Sequence, residues 1–321
     1  MSAIPTRLRR WTVVLAVLTI QVVAFAAAIV ADVPTAYAVF ALVSSAVLAY
    51  GTGRGAFETL LAVFGTLLLL ALGLPILMIV ARQDPSLVAE KAASREVQRA
   101  LYLSVYGPLL SALAVTVLGV PVAYLLSRGF AGQQFVESLV DLPLVVPHSV
   151  AGLAVLFAFG EGATFPSLSV YGSMTGMVLA MAFVSAPFAV NAAREGFEAV
   201  DGRVEQAARS LGASQVSTFL RVHLPLAARG TLTGGLLAWA RSVSEFGAVA
   251  MVAYNVEVFF PITGNTKTTQ HAPVYIYNTF LSNGLAESGA VAVLLLTLCT
   301  AIFLAVRWIA YDATSSHGGI A

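Results

Sequence analysis

The chain has 321 residues, of which 59% are hydrophobic and 10% charged, with a mean hydropathy of +0.87. Soluble domains carry roughly 45–50% apolar and about 25% charged residues, so this chain has too little charge to cover a water-soluble exterior. A net charge of +1 offers no basic surface for nucleic acid, and the lone Cys299 excludes an intrachain disulfide. The composition is that of an integral membrane protein with several spans.

A helix needs about 20 apolar residues to cross the hydrocarbon core. Eight stretches qualify in chain order: Trp11–Ala31, Val33–Tyr50, Thr59–Ala81, Leu101–Leu126, Leu142–Gly160, Ser173–Ala193, Thr231–Ala253 and Ser288–Val306. The first follows Arg7, Arg9 and Arg10 and has 21 residues, beyond the roughly 7–15-residue core of a secretory signal. It is expected to be a retained helix. Arg241 and Glu245 are the charges within the seventh stretch.

Lys and Arg set orientation. With the N-terminus inside, the cytoplasmic side gathers Arg7, Arg9, Arg10, Arg54, Arg128, Arg194, Arg203, Arg209, Arg221, Arg229 and Arg307. The outside holds Arg82, Lys91, Arg95, Arg99 and Lys267. Residues 82–99 read as a short amphipathic external helix, and Tyr254–Glu287 as the longest external connection. Both termini are expected in the cytoplasm. No internal repeat is visible.

The longest cytoplasmic connection, Arg194–Arg229, is the informative one. Asp201 is placed to cap a helix, with Val204, Ala207, Ala208 and Leu211 along one face. Gly212 stands where a helix ends in the left-handed conformation, and Ser214 could cap a second helix closed before Pro225. This is a stiff helix outside the membrane whose alanines let a partner approach closely. Lying on lipid is the alternative.

This stretch resembles the EAA loop of ABC importer permeases, written Glu-Ala-Ala, three residues, Gly, nine residues, Ile, one residue, Leu-Pro. Ala207, Ala208, Gly212, Leu224 and Pro225 match, and Val222 replaces the Ile. Gln206 takes the place of the Glu, with Glu205 one position earlier. Residues 142–153, with Pro143 and Pro147, are similar to the third core helix of sulfate and molybdate permeases. Residues 240–248 are similar to their segment after the coupling loop, and the molybdate/tungstate branch is the closer resemblance.

The resemblance implies a type I ABC importer fold: a six-helix core over 57–309, a two-helix extension over 1–56 and a cytoplasmic tail over 310–321. It also implies partners: a second copy of the chain, two cytoplasmic ATPases and an extracytoplasmic oxyanion-binding protein. The loop residues Glu205, Gln206, Ala207, Ala208, Leu211, Gly212, Leu224 and Pro225 would dock on the ATPase.

Arg241 and Glu245 are spaced i, i+4 and can meet on one helix face. Charges inside a bilayer are costly and usually functional or mutually neutralised. They are candidates for a gate or a structural pair. Pro143 and Pro147 interrupt the helix ladder and favour a kink; His148 and Ser149 follow as candidate pathway donors or interhelical bonds.

Catalysis has no support. Lys91 and Lys267 are the only lysines and neither lies in a phosphate loop. His148, His223, His271 and His317 have no metal-ligand spacing. The chain is expected to bind no cofactor, with ATP and Mg used by the partner ATPase. The close alternative is a sulfate or thiosulfate ABC permease; an ion-coupled carrier, which typically shows inverted repeats, and a membrane-embedded enzyme are the rivals from other classes.

Overall fold

The computed structural model describes residues 6–51, 53, 55–160, 162, 170–260 and 264–315. His317, Arg54 and the end of the tail lie outside them. The chain divides into two compact units, Met1–Gln83 and Asp84–Ala321.

The first unit holds three helices: α1 (Thr6–Val30), α2 (Pro34–Gly51) and α3 (Gly55–Ala81). Asp32, with φ 54°, makes the turn before Pro34. Phe25 meets Tyr37 edge to face at 5.1 Å, and Gln21 Nε2 donates to Ser44 Oγ at 2.9 Å. No residue of α3 is buried, and Leu69 is 70% exposed. In water that face would be untenable; against lipid tails it is the ordinary exterior of a membrane helix.

In the second unit, α4 (Pro85–Ala93) is capped by Asp84, which accepts from Ser86 N at 2.8 Å. Ser94 separates it from α5 (Arg95–Arg128), a 34-residue helix. Then come α6 (Gln133–Asp141), a 3-10 turn (Leu142–Leu144), α7 (His148–Phe159) and α8 (Met174–Glu198). After these follow α9 (Gly202–Ser210), α10 (Gln215–Thr218), a π-helical turn (Phe219–His223) and α11 (Leu224–Leu226). Next are α12 (Ala228–Val243), α13 (Gly247–Val252), an antiparallel hairpin, α14 (Ala272–Asn283) and α15 (Leu285–Ser315).

Helices α5, α8 and α12 form the centre. Ala112, Val115, Ala189, Ala238 and Trp239 fill one part of their contact. A Cβ on Gly230 of α12 would lie 2.7 Å from Ala192 O of α8, so the two backbones touch through a position that only glycine fits. Lys91 of α4 pairs with Glu287 of α15 at 2.7 Å.

Among the described residues, five helices are long and apolar enough to cross a membrane, or six if the bent pair 133–144 and 148–159 is one span. Two of the expected spans need correction. Leu142–Gly160 is not one helix: the chain bends by 114° between Gln133–Leu144 and His148–Phe159. Pro147 has no N–H to continue a ladder, and it biases the residue before it away from helical angles. Thr231–Ala253 is also two pieces, broken at Ser244–Phe246.

The 254–287 connection, expected to be external, carries a hairpin and a helix. Strands β1 (Val256–Phe260) and β2 (Asn265–Thr269) pair in register, Val256 opposite Thr269. Ser104 Oγ of α5 accepts from Ala272 N at 2.7 Å and so fixes the start of α14.

Candidate functional site

Two groups of sequence-identified residues emerge, one at the segment between α8 and α12 and one at the two helix breaks.

In the first, Asp201 caps α9 by accepting from Arg203 N at 2.9 Å. Gly212 ends it with φ +87°, and a Cβ there would meet nothing within 4 Å. Glycine is therefore demanded by backbone conformation and not by crowding within the chain. Ser214 caps α10 by accepting from Ser217 N at 3.2 Å.

The second short helix does not close before Pro225. It continues through the π turn, where Leu224 N bonds Phe219 O, so that Pro225 falls at the start of α11. There its missing N–H costs least.

Along α9 the apolar residues face outward. Val204, Gln206 and Ala207 are exposed, Ala208 is half-buried, and Leu211 is 90% exposed. Leu224 turns inward instead, packing among Ala123, Leu126, Phe197 and Ala227, while Pro225 is exposed.

Glu205 is the buried side chain of α9, at 9% exposure. Its carboxylate accepts two hydrogen bonds from Arg128, the last residue of α5: Nη1 to Oε2 at 2.5 Å and Nη2 to Oε1 at 3.1 Å. His223 Nε2 lies 3.4 Å from Oε2 without forming a hydrogen bond, and Arg209 Nη1 lies 3.9 Å from Oε1. Hydrogen bonding from Arg128 holds the Glu205 carboxyl below its ordinary range, against the opposing effect of burial.

Tyr124 sits beside this pair, its ring against Phe197, Phe219 and His223 at 5.5, 4.8 and 5.4 Å. The sequence reading gave Arg128, His223 and Tyr124 no part in this site. Arg128 is 77 positions from Glu205, and no local pattern connects them.

The second group joins the breaks. Arg241 Nη2 lies 2.8 Å from Glu245 Oε2, a contact the four-residue spacing allows. The same nitrogen lies 2.7 Å from His148 Nε2. Guanidinium only donates, so Nε2 accepts and the ring proton is assigned to Nδ1, 3.7 Å from Glu245 Oε2. Glu245 Oε1 accepts from Ala248 N at 2.8 Å and thereby starts α13.

Helices α7 and α13 approach tightly here. A Cβ on Gly152 would stand 2.7 Å from Ala248 O, and one on Gly247 would stand 2.9 Å from His148 Cβ. Pro147 and Ser149 are exposed at the start of α7. Pro143 is buried in the 3-10 turn, where its missing N–H falls at the start of the element. The arrangement can hold a charged arginine at a helix break while cancelling most of its field.

Residues 116–312 match the model of the family of binding-protein-dependent transport system inner membrane components. The chain belongs to that family. Its members are permeases, the transmembrane subunits of ABC importers. This permease is 36% identical over 266 residues to a molybdate/tungstate transport system permease protein of Pyrococcus abyssi, covering 82% of this chain and 99% of that protein. It is 39% identical to a probable molybdenum ABC transporter permease protein of Haloferax volcanii, covering 76% of this chain and 86% of that one. A probable sulfate transport system permease protein of Nephroselmis olivacea is 31% identical over 75% of the chain and 86% of its own length.

Among solved structures, a bacterial ABC transporter involved in alginate import superimposes with a TM-score of 0.64 at 13% identity, over 83% of this chain and 98% of that one. An inward-facing methionine ABC transporter gives 0.53 at 18% identity, over 68% and 95%. The permease therefore has the fold of type I ABC importer transmembrane domains and is a multi-pass membrane protein.

Proposed function

We propose that the permease imports molybdate or tungstate as the membrane subunit of an ABC transporter working by ATP-driven alternating access. The substrate assignment is supported by the 36% identity to the Pyrococcus abyssi permease across 99% of that protein's length.

The observation that carries the coupling mechanism is the outward-facing Leu211 at the end of α9, 90% exposed beside Gly212. Burying a leucine gains about 1.5–3 kcal/mol, which favours a protein partner over solvent at this spot. The partner is a cytoplasmic ATPase that binds ATP and Mg, while this chain itself catalyses nothing and holds no cofactor. Glu205, Gln206, Ala207, Ala208, Leu211, Gly212, Leu224 and Pro225 form and support the docking segment.

One such segment per chain and two ATPases per transporter imply a homodimer of the permease. A binding protein outside delivers the oxyanion, docking on the 254–287 side. The transporter sits in the cell membrane with both termini cytoplasmic.

Pro143, Pro147, His148, Ser149, Arg241 and Glu245 form the pathway or gate. A conduit for a dianion must not trap it, and an arginine already paired with Glu245 at 2.8 Å suits that requirement. Titrating the cognate binding protein with tungstate, molybdate and sulfate tests the substrate. Tight binding of sulfate alone would replace this reading with a sulfate permease.

A further inference from the structure

Glu205 points away from the docking face of α9. It is buried under the helix and bound to Arg128 on a different element, 77 residues earlier in the chain. The chain itself connects α9 to α8 through Ala199–Asp201, and connects α11 to α12 through Ala227. It makes no direct connection from α9 to α5. The Arg128–Glu205 pair supplies one.

Two parallel N–H···O bonds, at 2.5 and 3.1 Å, fix both distance and angle between their carriers. The carriers are stiff. Arg128 ends the 34-residue α5, in the proline-free stretch that follows Pro121, and Glu205 sits in the first turn of a helix capped by Asp201. Tyr124, one turn before Arg128, adds ring contacts to α8 and to the π turn. A push on α9 therefore reaches α5 through a rigid fork as well as reaching α8 and α12 through the backbone.

We propose that Arg128 and Glu205 are positioning residues that transmit movement of the ATPase-docking helix α9 directly to the transmembrane helix α5. The proposal rests on the coupling role assigned to α9 above. It assigns Arg128 a part in transport although that residue lies outside the docking face. Its geometry demands arginine in particular, because lysine keeps the charge and loses the fork.

The test uses the complete transporter, permease with its ATPases and binding protein, in proteoliposomes. Tungstate uptake and phosphate release are measured together. Arg128→Gln should retain its ATPases and keep basal hydrolysis within about two-fold, while uptake per ATP hydrolysed falls about ten-fold. Arg128→Lys should fall in between. The exchange Arg128→Glu with Glu205→Arg should recover at least about half of the lost coupling.

Wild-type uptake per ATP in Arg128→Gln would overturn the proposal. Loss of the ATPases from that variant would also overturn it, since the pair would then be an anchor. An exchange variant no better than Arg128→Gln would do the same. Lack of ATP-dependent uptake in the wild-type complex would instead overturn the importer reading and the transmission role with it. The two failures are thus distinguishable.

Discussion

Arg241 and Glu245 stand four residues apart, Arg241 at the end of α12 and Glu245 within the break that follows it. Arg241 lies in the last turn of α12, while Glu245 follows the end of that helix and caps α13 through Ala248 N at 2.8 Å. Their ion pair, also 2.8 Å, bridges the break and meets His148 at the start of α7. One buried carboxylate thus pairs a half-buried arginine with one oxygen and begins a helix with the other.

Removing either charge leaves the other without its ion-pair partner, and an unpaired charge at the centre of a bilayer costs roughly 2.5–3.5 kcal/mol. Glu245→Gln and Arg241→Gln should each lower assembly or transport, and the double change should recover part of the loss. Glu245→Ala should be worse than Glu245→Gln by about 1 kcal/mol, because glutamine can still accept from Ala248 N. A double-mutant cycle on assembly checks this; additive losses would contradict pairing.

Gly212 tests the docking surface. At φ +87° a branched residue is strained by about 1–3 kcal/mol, and its side chain would project into the open space where the proposed ATPase would dock. Gly212→Val should insert and assemble as a permease but lose substrate-stimulated ATP hydrolysis and uptake. Gly212→Asn, which tolerates the left-handed region, should lose less. Equal stimulation in wild type and Gly212→Val would contradict the assignment.

Much of this was legible in the sequence, and the failures have physical causes. Helix α9, its Asp201 cap and the left-handed Gly212 could be read because caps and periodicity are local signals. The bend at 145–147 lies in an apolar run that continues across it, and the break at 244–246 falls within one expected span although Arg241, Ser242, Ser244 and Glu245 interrupt its apolar character. Two prolines suggested a kink where the chain makes a 114° bend. Sequence spacing identified the Arg241–Glu245 contact, but it could not bring in His148, 93 positions from Arg241. Arg128 and Glu205 meet only after three helices have packed.

Glu205 gives a pH dependence with a definite sign. Its carboxyl is held below the ordinary value of 4.5, first by hydrogen bonding from Arg128. The unfolded chain therefore takes up the proton at higher pH than the folded one, so the stabilisation is full at neutral pH. It is lost as the pH falls below 4.5 through the lowered folded value. A hydrogen bond to a charged group contributes about 1.5–3 kcal/mol, less here because Arg128 is 45% exposed. Wild type should be more stable than Arg128→Gln at pH 7, and the Tm gap should close on acidification below 4.5. A gap unchanged across that range would contradict the pairing.

Sidedness follows from the docking assignment. With Cys299 replaced by Ala, single cysteines at Gln215 and Ser282, both exposed, report opposite faces. On whole cells an impermeant thiol reagent should label the Ser282→Cys variant and spare Gln215→Cys until the cells are opened. Labelling of Gln215→Cys alone would invert the topology.

This permease should pass molybdate or tungstate when an ATPase drives it. Uptake of labelled tungstate into proteoliposomes containing permease, ATPase and binding protein measures it directly. Uptake should require ATP in the ATPase compartment and both partner proteins. It should be suppressed by excess molybdate and persist in excess sulfate. Uptake of sulfate that excess tungstate leaves unchanged, with no ATP-dependent tungstate signal, would contradict this assignment.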